Sequence, residues 1–125
     1  DELAVREKVI MPGYLPDPAP VYSALDCFLM PSLFEGLAIV RIEAQCSGCA
    51  IVCSEALPSE AHVTDAEVLL PLSAGESAWS DRAVEMVRMS KDRDVYAALV
   101  RSAGFDEDHC ASIVRKHLLD RVSCD

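Results

Sequence analysis

Two glutamates, Glu35 and Glu43, stand eight positions apart in FLMPSLFEGLAIVRIEAQCSGCAIVCS, the first followed directly by Gly36 and the second inside a stretch with helical spacing. An ionised carboxylate only accepts hydrogen bonds. Taken alone, two of them around a helix start read either as solvated helix acids or as ligand contacts. The helix start itself, near Leu37, presents free N–H groups and the positive end of the helix dipole, so something anionic is expected beside it. Within the same stretch Cys46 and Cys49 have CxxC spacing, which fits a redox pair or half a zinc site. No second CxxC exists and Cys53 falls in an apolar run, so no metal site is read from it. His62, in SEAHVTD, is a candidate neighbour of the site, while His109 and His117 read as structural. Trp79, with Val84 and Val87, reads as helix packing.

The elements that must position these residues follow from periodicity. Residues 1–7 read as the end of a helix, and Val9 to Met11, closed by Pro12 and Gly13, as a short strand and turn. Asp17 and Pro18 open a short helix with Val21, Tyr22 and Leu25 on one face. Cys27 to Met30 and Ala50 to Cys53 are apolar without alternation, the pattern of strands covered on both faces. Between them, Leu37 to Ser47 carries Ile39, Ile42 and Cys46 at helical spacing, with Gly48 as the C-terminal stop. A polar stretch with a helical turn leads to a last strand, Val68 to Leu70. Three helices then follow, roughly Ser77 to Ser90, Arg93 to Ala103 and Glu107 to Val122. In the last, Cys110, Ile113, Val114, His117, Leu118 and Arg121 form a stripe, with Asp106, Glu107 and Asp108 favouring its N-terminal dipole. This alternation predicts an α/β fold: a partial Rossmann-like parallel sheet with right-handed crossovers, followed by C-terminal helices. The loop Pro31 to Gly36 then lies beyond the carboxyl ends of the strands, where open α/β sheets bind ligands.

At 125 residues the chain is about one domain or a piece of one, and an Asp at the first position favours a piece. With 11 Lys and Arg against 21 Asp and Glu the net charge is −10, which repels phosphate backbones, so nucleic acid is excluded as a partner. No apolar run approaches the roughly 18–20 residues that span a bilayer, and the acidic start is unlike a signal peptide, so a cytoplasmic protein with reduced thiols is expected. Sequences of the G-x-S-x-G, H-E-x-x-H, Walker A and G-x-G-x-x-G types are absent, which leaves hydrolase, zinc-protease and dinucleotide readings without support.

The phrase DCFLMPSLFEGLAIVRIEAQCSG resembles the nucleotide-sugar site of retaining glycosyltransferases with the GT-B fold, in particular the family 4 type that builds bacterial polysaccharides; its E-x7-E signature is Glu35 and Glu43. The preceding VIMPGYLPDPAPVYSALD and the following AIVCS look like that family's approach to and exit from the site, so the resemblance covers residues 9–72, with 77–122 as a helical tail. It implies that the diphosphate of a donor lies over the helix start at Gly36, Leu37 and Ala38, that Glu43 accepts from ribose hydroxyls, and that Glu35 accepts from donor-sugar hydroxyls and is the candidate catalytic residue. Eight helical residues span about 12 Å, a fair length from ribose to hexose. Gly13, Tyr14 and Leu15 would seat the nucleobase.

The resemblance further implies hexosyl transfer with no metal and no cofactor, and an acceptor, glycan or lipid-linked, held by an N-terminal domain at the inner face of the membrane. Relatives have two earlier strands with basic residues, so this chain alone is expected to be inactive. If the strand order is 3-2-1-4-5-6, the segment at Val9 must re-pair, swap or stay loose. The alternative reading is an inactive remnant or subunit that binds a second copy or a complementary half-domain through residues 77–122.

Overall fold

Apolar runs become strands here only where a neighbour exists on which to pair. The computed structural model describes residues 4–89 and 92–122. Strands β1 (Cys27–Met30), β2 (Ala50–Ser54) and β3 (Glu67–Leu70) form a parallel sheet in the order β1-β2-β3. Leu29 pairs with Val52, and Val52 with Val68. Helices α1 (Ala19–Ala24) and α2 (Ile39–Cys46) flank β1 in sequence; α3 (Gly75–Arg88), α4 (Arg93–Ser102) and α5 (Glu107–Val122) follow the sheet. The fold is α/β, a partial Rossmann-like sheet with C-terminal helices, as the alternation predicts.

Strand alternation sends β2 side chains into two separate cores. Ile51 and Cys53 face Tyr22, Met30, Ala44 and Leu57 beneath α1 and α2, while Ala50 and Val52 face Trp79 and Met86 of α3. With all five β2 residues buried, the absence of polar alternation in its sequence is explained. Trp79 packs as expected and donates its indole N–H to Pro71 O at 3.2 Å, but Val84 and Val87 do not join it; both are exposed, and Met86 is the packing partner.

The helix stops are as read, but the N-cap of α1 is Pro18, with Asp17 one residue before it. Asp17 Oδ1 accepts from the N–H of Ala19 at 3.0 Å. Gly48, at φ 66°, follows α2, with Gly48 N–H on Gln45 O and Cys49 N–H on Ala44 O. This is a Schellman closure, and Gly104 repeats it after α4, with Phe105 N–H on Val100 O and both side chains in one small core with Ile42.

Four expectations are corrected. Val9 to Met11 is not a strand: it is extended, exposed and unpaired among the described residues, because nothing in the fold offers it a ladder. Of the helix expected over residues 1–7, the described part holds only a 3₁₀ turn, Arg6–Lys8. On α2 the apolar residues Ile39 and Cys46 are exposed and only Ile42 of the expected stripe is buried; the covered face is Arg41, Ile42, Ala44 and Gln45. The stripe of α5 is likewise uncovered, with Ile113, Val114 and Leu118 exposed; Arg121 carries no side-chain description.

Candidate functional site

The loop 31–38 leaves the carboxyl end of β1 and enters α2 through Ala38, which sits in the left-handed region at φ 56°, ψ 63°. No side chain caps this helix start, and its first hydrogen bond is Arg41 N–H to Ala38 O at 2.9 Å. Gly36 needs neither a positive φ nor protein contact: a Cβ built there meets nothing within 4 Å. Glu35 is half-buried in the same loop.

Glu43 lies about one turn into α2, which starts only at Ile39, and is exposed but held in place. The Tyr22 hydroxyl of α1 donates to Glu43 Oε2 at 3.0 Å. Burial pushes the Tyr22 phenol up, and the hydrogen bond and negative charge of Glu43 push it further, to about 12. Both residues line a groove of about 1010 Å³ between α1, α2 and the turn into α5, floored by Leu37, Ile42, Val100 and Phe105 and rimmed by Asp17, Asp106 and Glu107. The groove is mostly apolar, and all the charged groups on its wall are carboxylates.

Of the residues singled out from the sequence, the groove brings together Leu37 and Glu43. Glu35, Gly36 and Ala38 lie in the entry loop outside its wall, as do Gly13, Tyr14 and Leu15, which are exposed; Gly13 has φ 74°. Cys46 lines the groove while Cys49 is buried. Among the described residues no three His, Cys, Asp or Glu side chains gather as metal ligands.

His62 turns out to belong elsewhere. Its Nδ1 lies 2.8 Å from Glu67 Oε2, and Glu67 in turn receives Arg41 through Nε at 2.7 Å and Nη2 at 2.8 Å. Arg41 also donates to Pro58 O at 2.9 Å. Burial raises the carboxyl pKa of Glu67, but the hydrogen bonds from Arg41 and His62 outweigh it and hold the group below its usual range. One turn along, Gln45 Oε1 accepts from Val63 N–H, Thr64 N–H and the Thr64 hydroxyl, and Nε2 donates to Ala61 O at 2.6 Å. This buried polar face locks α2 to the β2–β3 connection and so fixes the direction in which the helix points its start and Glu43. Cys53, packed against the same pair, is an inert thiol: burial first, then Glu67, pushes its pKa far up.

Sequence reasoning did not find Tyr22 as the partner of Glu43, nor Phe105 and Asp106 as groove residues. Tyr22 read only as one member of an apolar helix face, and 21 residues separate it from Glu43.

Among the described residues no helix is long and apolar enough to cross a membrane. No curated protein and no solved structure matched the chain. A family model described as glycosyl transferases group 1 matches residues 1–89, which take in all three strands, the entry loop, Glu43 and its phenol partner, and the chain belongs to that family.

Proposed function

We propose that this chain binds a nucleotide diphosphate sugar for retaining transfer of a hexose to a glycan or lipid-linked acceptor, in the manner of the family 4 enzymes that its motif resembles. The observation that carries this reading is Glu43: an exposed helix carboxylate that a buried phenol holds on the wall of a groove beginning at Leu37. Gly36 supports it, because the missing Cβ serves no contact within the protein and leaves room for a ligand against the backbone.

In this reading the diphosphate lies at Gly36, Leu37 and Ala38, where uncapped N–H groups and the helix dipole contribute about 0.3–1 kcal/mol. Glu43 accepts from ribose, Glu35 accepts from the sugar and is the candidate catalytic residue, and Gly13 to Leu15 meet the base. Neither a metal nor a cofactor has a role, and the reaction takes place on the cytoplasmic side, at the membrane face where a lipid-linked acceptor is held. Isothermal titration with UDP- and GDP-sugars, with and without EDTA, tests this. One of the two should bind saturably whether or not EDTA is present. Glu43→Ala should weaken it about 10- to 100-fold, the worth of hydrogen bonds to a charged group. Binding to neither, or equal affinity in the variant, overturns the reading.

The uncovered side chains Ile113, Val114 and Leu118 of α5 favour a second reading, a subunit that docks on a complementary half-domain or a second copy. Light scattering after size exclusion separates the two: a monomer at every concentration, with no partner retained, removes this reading.

A further inference from the structure

We propose that Tyr22 is a positioning residue for Glu43: its hydroxyl holds Oε2, so that the carboxylate keeps one orientation and offers Oε1 to a ribose hydroxyl of the bound donor. The inference rests on the reading of Glu43 as a donor ligand and adds how that ligand is oriented.

The phenol ring cannot swing away from this task. It is 7% exposed, packed among Met30, Ala44, Cys49 and Ile51, and it meets the Phe28 ring edge-on with centroids 6.0 Å apart. Tyr22 lines the groove, where its hydroxyl meets Glu43 at 3.0 Å. A surface glutamate has several rotamers, and fixing them on binding costs rotamer entropy. A partner that fixes them beforehand removes much of that cost from the binding step.

The choice of a phenol also matters. An arginine or lysine at this place would neutralise Glu43 and compete with the ligand for both oxygens. Tyr22 donates a single neutral hydrogen bond and leaves the charge in place, and its own oxygen can still accept from a second hydroxyl. Among the described residues the other charged groups on this wall, Asp17, Asp106 and Glu107, are all acids, and Arg101 beside them pairs with Asp106 at 3.2 Å.

The test compares Tyr22→Phe, Glu43→Ala and the double variant in the complete chain, titrated with whichever UDP- or GDP-sugar the parent binds. Tyr22→Phe keeps the ring and should keep the melting temperature, yet weaken donor binding about five- to tenfold. In the double variant that loss should vanish against the Glu43→Ala background, because a partner with nothing left to orient has no effect. As a check that does not depend on ligand or on the folding of Tyr22→Phe, ultraviolet titration of Glu43→Ala should show the Tyr22 phenol, which burial and Glu43 push up to about 12, moving down. Unchanged donor affinity in Tyr22→Phe beside a weakened Glu43→Ala overturns the positioning role alone, as do additive losses or an unmoved phenol. Unchanged affinity in both variants overturns the donor-site reading as well.

Discussion

Arg41 of α2 and Glu67 at the start of β3 form a two-pronged ion pair, Nε to Oε1 at 2.7 Å and Nη2 to Oε2 at 2.8 Å, with both side chains fully buried. Removing one partner leaves an uncompensated charge in the interior, so Arg41→Met should cost about 3–5 kcal/mol in urea unfolding. Replacing both, as in Arg41→Met with Glu67→Leu, should recover most of it. The pair also sets a pH window. The carboxyl of Glu67 lies below its ordinary 4.5 in the folded state, so its stabilisation is complete above that value and fades as pH falls through the folded pKa. Melting temperature below pH 4.5 should therefore fall more steeply in the parent than in the double variant.

Gln45 satisfies two backbone N–H groups, a hydroxyl and a carbonyl of residues 61–64 at once. Gln45→Leu has similar bulk but orphans all four, and one buried orphan costs about 1–3 kcal/mol. The expected loss is at least about 4 kcal/mol, with hydrogen exchange at the amides of Val63 and Thr64 accelerated. Slow exchange there in the variant would show that the connection does not depend on Gln45.

Ala38 holds a left-handed conformation that disfavours any side chain by about 1–2 kcal/mol. Ala38→Gly should therefore stabilise the fold, by about 1 kcal/mol after the greater entropy of glycine in the unfolded chain is counted. A rise in Tm of roughly 4 °C in thermal melts is the expected readout.

Gly48 presents the opposite case. At φ 66° a Cβ would meet Arg93 Cγ at 3.0 Å and Arg93 Cα at 3.2 Å, so strain and a backbone contact add. Gly48→Ala should lose about 2 kcal/mol or more and loosen α4 from α2, visible as weakened protection of the α4 amides.

The strands and helices of this fold were legible because local physics dictates them. Ala50 to Cys53 is apolar without alternation since both faces of β2 are covered, whereas the same pattern in Cys27–Met30 leaves Leu29 exposed; Gly48 and Gly104 stop their helices since only glycine takes the closing conformation cheaply. What could not be read depended on distant partners. Val9 to Met11 has the composition of a strand, but a strand exists only beside another. Arg41 and Gln45 look like solvent-facing residues until Glu67 and the 61–64 backbone, 16 or more residues away, make burial affordable. For the site, the helix entry and the two acids could be named from spacing. That a phenol meets one of them could not, because the two residues stand on different helices 21 positions apart.

The outer rim of β1 has a practical consequence. Among the described residues no strand lies against it, and Leu29 on β1 is 51% exposed, with the still barer Ile10 and Met11 elsewhere on the surface. A short, greasy, unguarded ribbon edge of this sort is a template for its own kind, so concentrated solutions should turn cloudy well before charge repulsion among molecules of −10 would allow it.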